Sequence, residues 1–303
     1  FQNYVGGRFE GFSGPGISES NVAGLLIVTG IMTTAALFLS GKLKEKIAAM
    51  GMMPFTLNAL IATISRSGFL ALGIAGVVLN FFAPKKSMFT VRFFSVAGLI
   101  LLVSLTNPVY WERIGTILAG GEQVEGVDTG SKRLVLMGAQ FEMSKAYPLG
   151  CGHRCTAVLS PNYLDDAYLT VSPSGVKARA SHNTFMTMLV EQGIPGAIFY
   201  FMLLLWMART CLRLRRPMRD REGLIPQTYA AVVAVLAAIT VGDLFVDYLK
   251  FEARLWFISI LMVLVRMNAE MVEAEKLVAN ERATDCAKFG SRNVSTSRRR
   301  ASL

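Results

Sequence analysis

Long apolar runs separated by short basic segments restrict the fold of this chain more than any other feature. Runs of helix length fall at 22–40, 47–64, 68–83, 89–105, 184–208, 226–245 and 253–267. About 20 helical residues cross a hydrocarbon core, fewer where flanking side chains snorkel. None of the runs alternates with a period of two, and an open sheet in lipid would leave its edge amides without partners. The sequence therefore predicts an all-α fold, a polytopic transmembrane helical bundle. With 52% hydrophobic residues, the composition is too apolar for an ordinary soluble domain.

The charge pattern orients the bundle. The chain carries a net charge of +10, gathered in short stretches between the runs. Lys42, Lys44 and Lys46 follow the first run, and Lys85 and Lys86 follow the third. Arg209, Arg213, Arg215, Arg216, Arg219 and Arg221 follow the fifth, and Arg298, Arg299 and Arg300 lie in the tail. If residues 1–21 lie outside, all of these fall on one side, as cytoplasmic loops do. The hairpin Ser65-Arg66-Ser67-Gly68, the segment 106–182 and the segment near Asp247 to Glu252 then fall on the other. In a bacterium this is an inner-membrane, multi-pass protein with a periplasmic long loop. The same scatter of charge argues against nucleic acid, because no basic face or aromatic platform accompanies it.

The expected organisation follows. Residues 1–21 form a periplasmic loop and 22–105 about four transmembrane helices. Residues 106–182 form a long periplasmic loop with amphipathic helices, and 183–267 about three more spans. Residues 268–303 form a basic cytoplasmic tail, helical at first and then partly disordered, lying against anionic lipid. The chain begins at Phe1 in a stretch rich in Gly, Ser and Asn, and is read as lacking its natural N-terminus. No internal repeat is evident.

A loop as long as 106–182 between spans is where chemistry gathers. Arg66, in its tight hairpin, sits at the outer membrane boundary. It either snorkels to headgroups or grips a lipid phosphate through its planar fork. Lys132 and Arg133 open an amphipathic pattern through Leu134, Val135, Met137, Gly138, Phe141 and Met143. Cations at a helix start oppose the macrodipole, so they suggest an anionic partner if they are not simply a solvated face. Arg113, Arg154 and Arg179 add positive charge to the loop, while Glu122, Glu125, Asp128, Asp165 and Asp166 dilute it. His182, where the loop returns to the membrane, can take a proton from a hydroxyl near neutral pH. Its neighbours Ser181 and Asn183 are also good helix caps, which would leave His182 a bystander. Glu191 is expected two to three turns further into the membrane, where a carboxylate needs a partner: it orients one, or pairs with an arginine of a neighbouring helix.

The four cysteines divide by side. Cys211 and Cys286 fall inside, and Cys151 and Cys155 outside. The outer two form a disulfide, stay as thiols, or join His153 in a metal site that lacks a fourth ligand.

Taken together these segments resemble a known family. Thr63-Ile64-Ser65-Arg66-Ser67-Gly68 is similar to the serine-arginine-glycine hairpin of the O-antigen ligase/polymerase superfamily. Arg133, its helix, and Tyr147-Pro148-Leu149-Gly150-Cys151-Gly152 resemble the outer-loop signature of that family. Ser181-His182-Asn183-Thr184-Phe185 with Leu189, Glu191, Gly193 and Gly196 resembles its histidine-asparagine motif. Arg8-Phe9-Glu10-Gly11 through Asn21 resembles the loop before a span in the same proteins. The likeness extends over most of residues 1–267, and the order of the motifs carries it more than any one of them. The sequence departs from the pattern at Cys151 and Cys155.

The resemblance implies a membrane glycosyltransferase, multi-span, that uses glycans on undecaprenyl diphosphate. A ligase passes the glycan to a lipid A–core sugar or similar acceptor, whereas a polymerase lengthens the lipid-linked glycan. A polysaccharide transporter or flippase is the reading from another class, and predicts internal repeats and helices broken at the midplane. By the ligase reading His182 is the base and Arg66, Arg133 and Lys132 bind the diphosphate, with Asn183, Arg154, Arg113 and Glu191 as supporting residues. No metal and no cofactor is implied.

Overall fold

A computed structural model describes residues 4–5, 8–9, 20–63, 65–105, 130–171, 175, 177–247, 249 and 251–300. Ten α-helices run through these residues: α1 Ser20–Ser40, α2 Leu43–Ala62, α3 Arg66–Phe82, α4 Met88–Leu105, α5 Gly130–Ala146, α6 Cys155–Leu159, α7 Thr184–Glu191, α8 Gly193–Arg219, α9 Leu224–Gly242 and α10 Glu252–Arg300. Two short antiparallel ladders accompany them, β1 Tyr4–Val5 with β2 Arg8–Phe9, and β3 Thr170–Val171 with β4 Lys177–Ala178. The chain divides into two units, Phe1–Ser259 and Ile260–Leu303. Helix continues to Arg300, where the sequence led us to expect a partly disordered end.

The helices explain the apolar runs. Among the described residues, Ser20–Ser40, Gly193–Arg219, Leu224–Gly242 and Glu252–Asn280 are long and apolar enough to cross a membrane, and Arg66–Phe82 is a shorter apolar helix. The chain is thus an all-α integral membrane protein. The most enclosed helix is α9, with Tyr229 through Leu236 buried on every face. A helix apolar all round belongs inside a bundle, and α1 and α3 pack against it. α1 and α3 also approach closely, since a Cβ on Gly68 would lie 3.3 Å from Gly24 Cα.

α3 and α9 run antiparallel. Near the α3 C-terminus, Phe82 meets Tyr229 edge-on at 5.9 Å, and Gln227 Nε2 donates to Ser87 Oγ at 2.7 Å. Just beyond, Lys85 pairs with Asp220 at 2.6 Å and Lys86 with Glu222 at 2.5 Å. The lysine bond holds the Asp220 carboxyl below its usual range. The segments that the charge pattern assigned to one side therefore meet one another. The α3 N-terminus, with Arg66, lies at the opposite end, level with the C-terminus of α9.

One expected span is not a single helix. The run 184–208 breaks at Gln192, and α7 folds back along α8. The Phe185 ring lies 5.7 Å from Tyr200 and 5.8 Å from Phe201. In a straight helix fifteen residues would separate them by about 22 Å. Gly193 makes the reversal with φ of +70°, in the left-handed region. Pro195 follows in the first turn of α8, where a missing N–H does no harm. The long apolar helix thus begins at Gly193, and α7 packs beside its first turns.

Candidate functional site

The His182 loop is fastened on both sides of the histidine. Asn183 caps α7, its Oδ1 accepting from Met186 N at 3.0 Å. Its Nδ2 donates to Leu244 O at 3.3 Å. Thr184 donates twice to the segment after α9, from N to Asp243 O at 2.8 Å and from Oγ1 to Val246 O at 2.9 Å. His182 itself is half-buried. Asn183 is thus the cap that the sequence offered, and His182 lies between it and the buried Ser181.

Beneath this loop lies a buried polar triad. The Tyr200 hydroxyl donates to Asp243 Oδ2 at 2.6 Å, and Arg254 donates to both Asp243 and the Tyr200 oxygen. Asp243 has no exposed surface, Tyr200 is 5% exposed and Arg254 6%. Charges this buried stand only because each is paired and hydrogen-bonded. The sequence reading did not single out these residues. The available signal was two ionisable residues at the edges of adjacent apolar runs.

Arg66 opens α3. Ser65 caps the helix, accepting from Gly68 N at 3.1 Å. Ser65 and Ser67 donate to Asn21 Oδ1 at 2.8 and 3.1 Å, so both turn toward α1 and are buried. Arg66 between them is half-buried. Because α3 and α9 are antiparallel, Arg66 shares an end of the bundle with Asp243 and the His182 loop.

α5 presents one face to α7. Leu136, Ala139, Gln140 and Met143 are buried at the spacing of a single helical stripe. Gln140 Nε2 donates to Ser181 Oγ at 2.8 Å. Met143 packs with Val190 and Cys155, at the other end of α7. The N-terminal part of α5 therefore points away from that end. Arg133, half-buried, lies two turns before Gln140 on the same face, ~10 Å along the axis. The Lys132 side chain and all of Arg113 lie outside the described residues.

The α7–α8 turn is clasped by the Pro148–Cys155 segment. Cys151 N donates to Val190 O at 3.1 Å, Gly152 N to Glu191 O at 3.0 Å, and Ile194 N to Pro148 O at 2.9 Å. Gly150, at φ of +91°, crosses Gly193 backbone on backbone. The glycines of two separate motifs thus meet in one crossing. Cys151 and Cys155 form a disulfide, which settles the three open readings and removes both thiolates from any metal site. Arg154 is exposed, with φ of +62°, beside this staple.

Glu191 ends α7, about two turns after Thr184 and beside the turn at Gln192. Its carboxylate is buried, and its neighbour is His153, with Nδ1 at 3.7 Å from Oε2. Of the two expected arrangements, orienting a partner or pairing with an arginine, the contact seen is with the His153 imidazole.

Residues 51–201 match the family model described as O-antigen ligase. The match takes in the Arg66 hairpin, Arg133, the clasped turn and the His182 loop. No curated protein matches the chain.

Proposed function

The chain belongs to the O-antigen ligase superfamily, and on that premise we propose that it is an inner-membrane ligase that moves a glycan from undecaprenyl diphosphate to an acceptor hydroxyl. The family makes it a membrane glycosyltransferase of the ligase or polymerase type. The finer reading places the reaction on the periplasmic side, with a lipid A–core sugar or similar acceptor. The acceptor hydroxyl gives its proton to His182, and its oxygen bonds to the anomeric carbon. The bond from that carbon to the diphosphate breaks, and the diphosphate leaves with the electron pair. Arg66 and Arg133, with Lys132, hold its charge through fixed donors, and no metal is needed for that task.

The observation that carries this reading is the shared end of the bundle. A half-buried arginine at the start of α3 and a histidine in a fastened loop lie at the same end of antiparallel α3 and α9. Reach and fixed orientation are what a base beside an anionic leaving group requires. The break at Gln192 falls before the 27-residue helix Gly193–Arg219 and not within it, which does not favour the broken helices of a transporter.

The test is glycan transfer in a null strain carrying full-length protein with His182→Ala, read on a gel that separates ligated, polymerised and lipid-linked glycan. A fall of about 10²–10⁴ in ligation, with long lipid-linked glycan accumulating, is expected. Short, unpolymerised products would instead identify a polymerase. An unchanged pattern would remove His182 from the chemistry.

A further inference from the structure

We infer that Gln140 is a positioning residue that ties the helix carrying Arg133 to the loop carrying His182, an inference that rests on the transfer reading above. Gln140 has no exposed surface, within a stripe otherwise made of Leu136, Ala139 and Met143. Its Nε2 donates to Ser181 Oγ at 2.8 Å. The Ser181 hydroxyl donates to Asn183 O at 3.1 Å and accepts from Asn183 N at 3.2 Å. With its proton committed to Asn183, Oγ accepts from Gln140, and this fixes the amide with its nitrogen toward the loop. Ser181 and Asn183 bracket His182, so the bonds fix the backbone on both sides of the imidazole.

Stability alone gives no reason for a glutamine here. Among the described residues, buried Gln140 Oε1 has no hydrogen-bond partner, and an orphaned buried acceptor is unfavourable. Leucine would fill similar space in this apolar stripe without that penalty. What leucine lacks is a donor for Ser181. The spacing of Arg133 from His182 is then held by two turns of helix and this hydrogen bond, with the Met143–Val190 packing further along the same helix. A diphosphate held at Arg133 and a base at His182 need a fixed separation of this kind.

The test compares full-length protein with Gln140→Leu and with Ser181→Ala, which cuts the same bond from the other side and keeps the test valid if one variant folds poorly. Hydrogen exchange in a peptide covering 181–187 is read beside steady-state transfer. Either variant should speed exchange in that peptide while the thermal midpoint of Gln140→Leu holds or rises. Turnover should fall about tenfold with KM for the lipid-linked glycan within about twofold, the signature of lost orientation. In a His182→Ala background, Gln140→Leu should change the residual rate by less than about twofold, because the two act as one unit. Unaltered exchange at 181–187, or the same tenfold loss without His182, would overturn the inference. If His182→Ala alone leaves transfer intact, the transfer reading fails, and the exchange result still decides whether Gln140 holds the loop.

Discussion

A Cβ on Gly193 would lie 2.3 Å from the carbonyl carbon of Leu149, and one on Gly150 would lie 2.6 Å from Glu191 O. These contacts are backbone to backbone, so no side chain can move aside to relieve them. Both residues also hold positive φ, which adds ~1–2 kcal/mol for any L side chain. Gly193→Ala is therefore expected to open the clasp between 148–152 and 190–194 and lower the thermal midpoint in detergent. Limited proteolysis should then cut near 147–155, and wild-type resistance there would show that the crossing tolerates a side chain. These glycines shape the crossing beside the candidate site. The sequence could offer His182, Asn183, Arg66 and Arg133 as candidates because their types carry chemistry. Gln140, Asp243 and Arg254 were not, because their importance lies in partners 41, 59 and 11 positions away in the chain: Ser181, Thr184 and Asp243.

Helix ends carry the next level of organisation. The segment after α9 holds α7 through Asp243 O and Val246 O, and the Tyr200–Asp243–Arg254 triad holds that segment against α8 and the start of α10. Removing one member strands a buried charge, whereas replacing both with apolar residues does not. Arg254→Met alone should therefore destabilise by about 3–5 kcal/mol, and adding Asp243→Leu should restore much of the loss. Thermal unfolding of the two variants checks this, and equal destabilisation would mean the ion pair is a net contributor. At the other end, the Lys85–Asp220 pair is about two-thirds exposed on each side chain and contributes little to stability. With its carboxyl pKa depressed in the folded protein, that contribution is present above about pH 4 and is lost as pH falls through the depressed value. Mildly acidic conditions should thus leave the clamp in place.

Across the whole first unit, contacts divide by end. The Ser65 hairpin joins the start of α1 at one end, where the His182 loop also joins the segment after α9, and Lys85 and Lys86 join Asp220 and Glu222 at the other. The charge pattern assigns the second end to the cytoplasm. Single cysteines at Lys44 and Asp165, in a background without Cys211 and Cys286, test this with an impermeant maleimide on spheroplasts. Position 165 should label in intact spheroplasts and position 44 only after permeabilisation. The reverse order would invert the topology and place the site inside.

Hydropathy and charge determined that this chain is a helical membrane protein, where most helices begin, and which loops gather together. Those properties depend on transfer free energy and on charge near the bilayer, and both can be summed along a sequence. The motif order also determined the family. Tertiary structure decided that the run 184–208 is a hairpin and a span, because 184–191 is apolar like the helix it folds against and Gly193 makes the turn where the loop at Gly150 crosses it. It alone decided that Glu191 faces His153, that Cys151 pairs with Cys155, and that Gln140 reaches Ser181. Each of those depends on a contact between segments, and periodicity within one segment carries no record of what lies across from it.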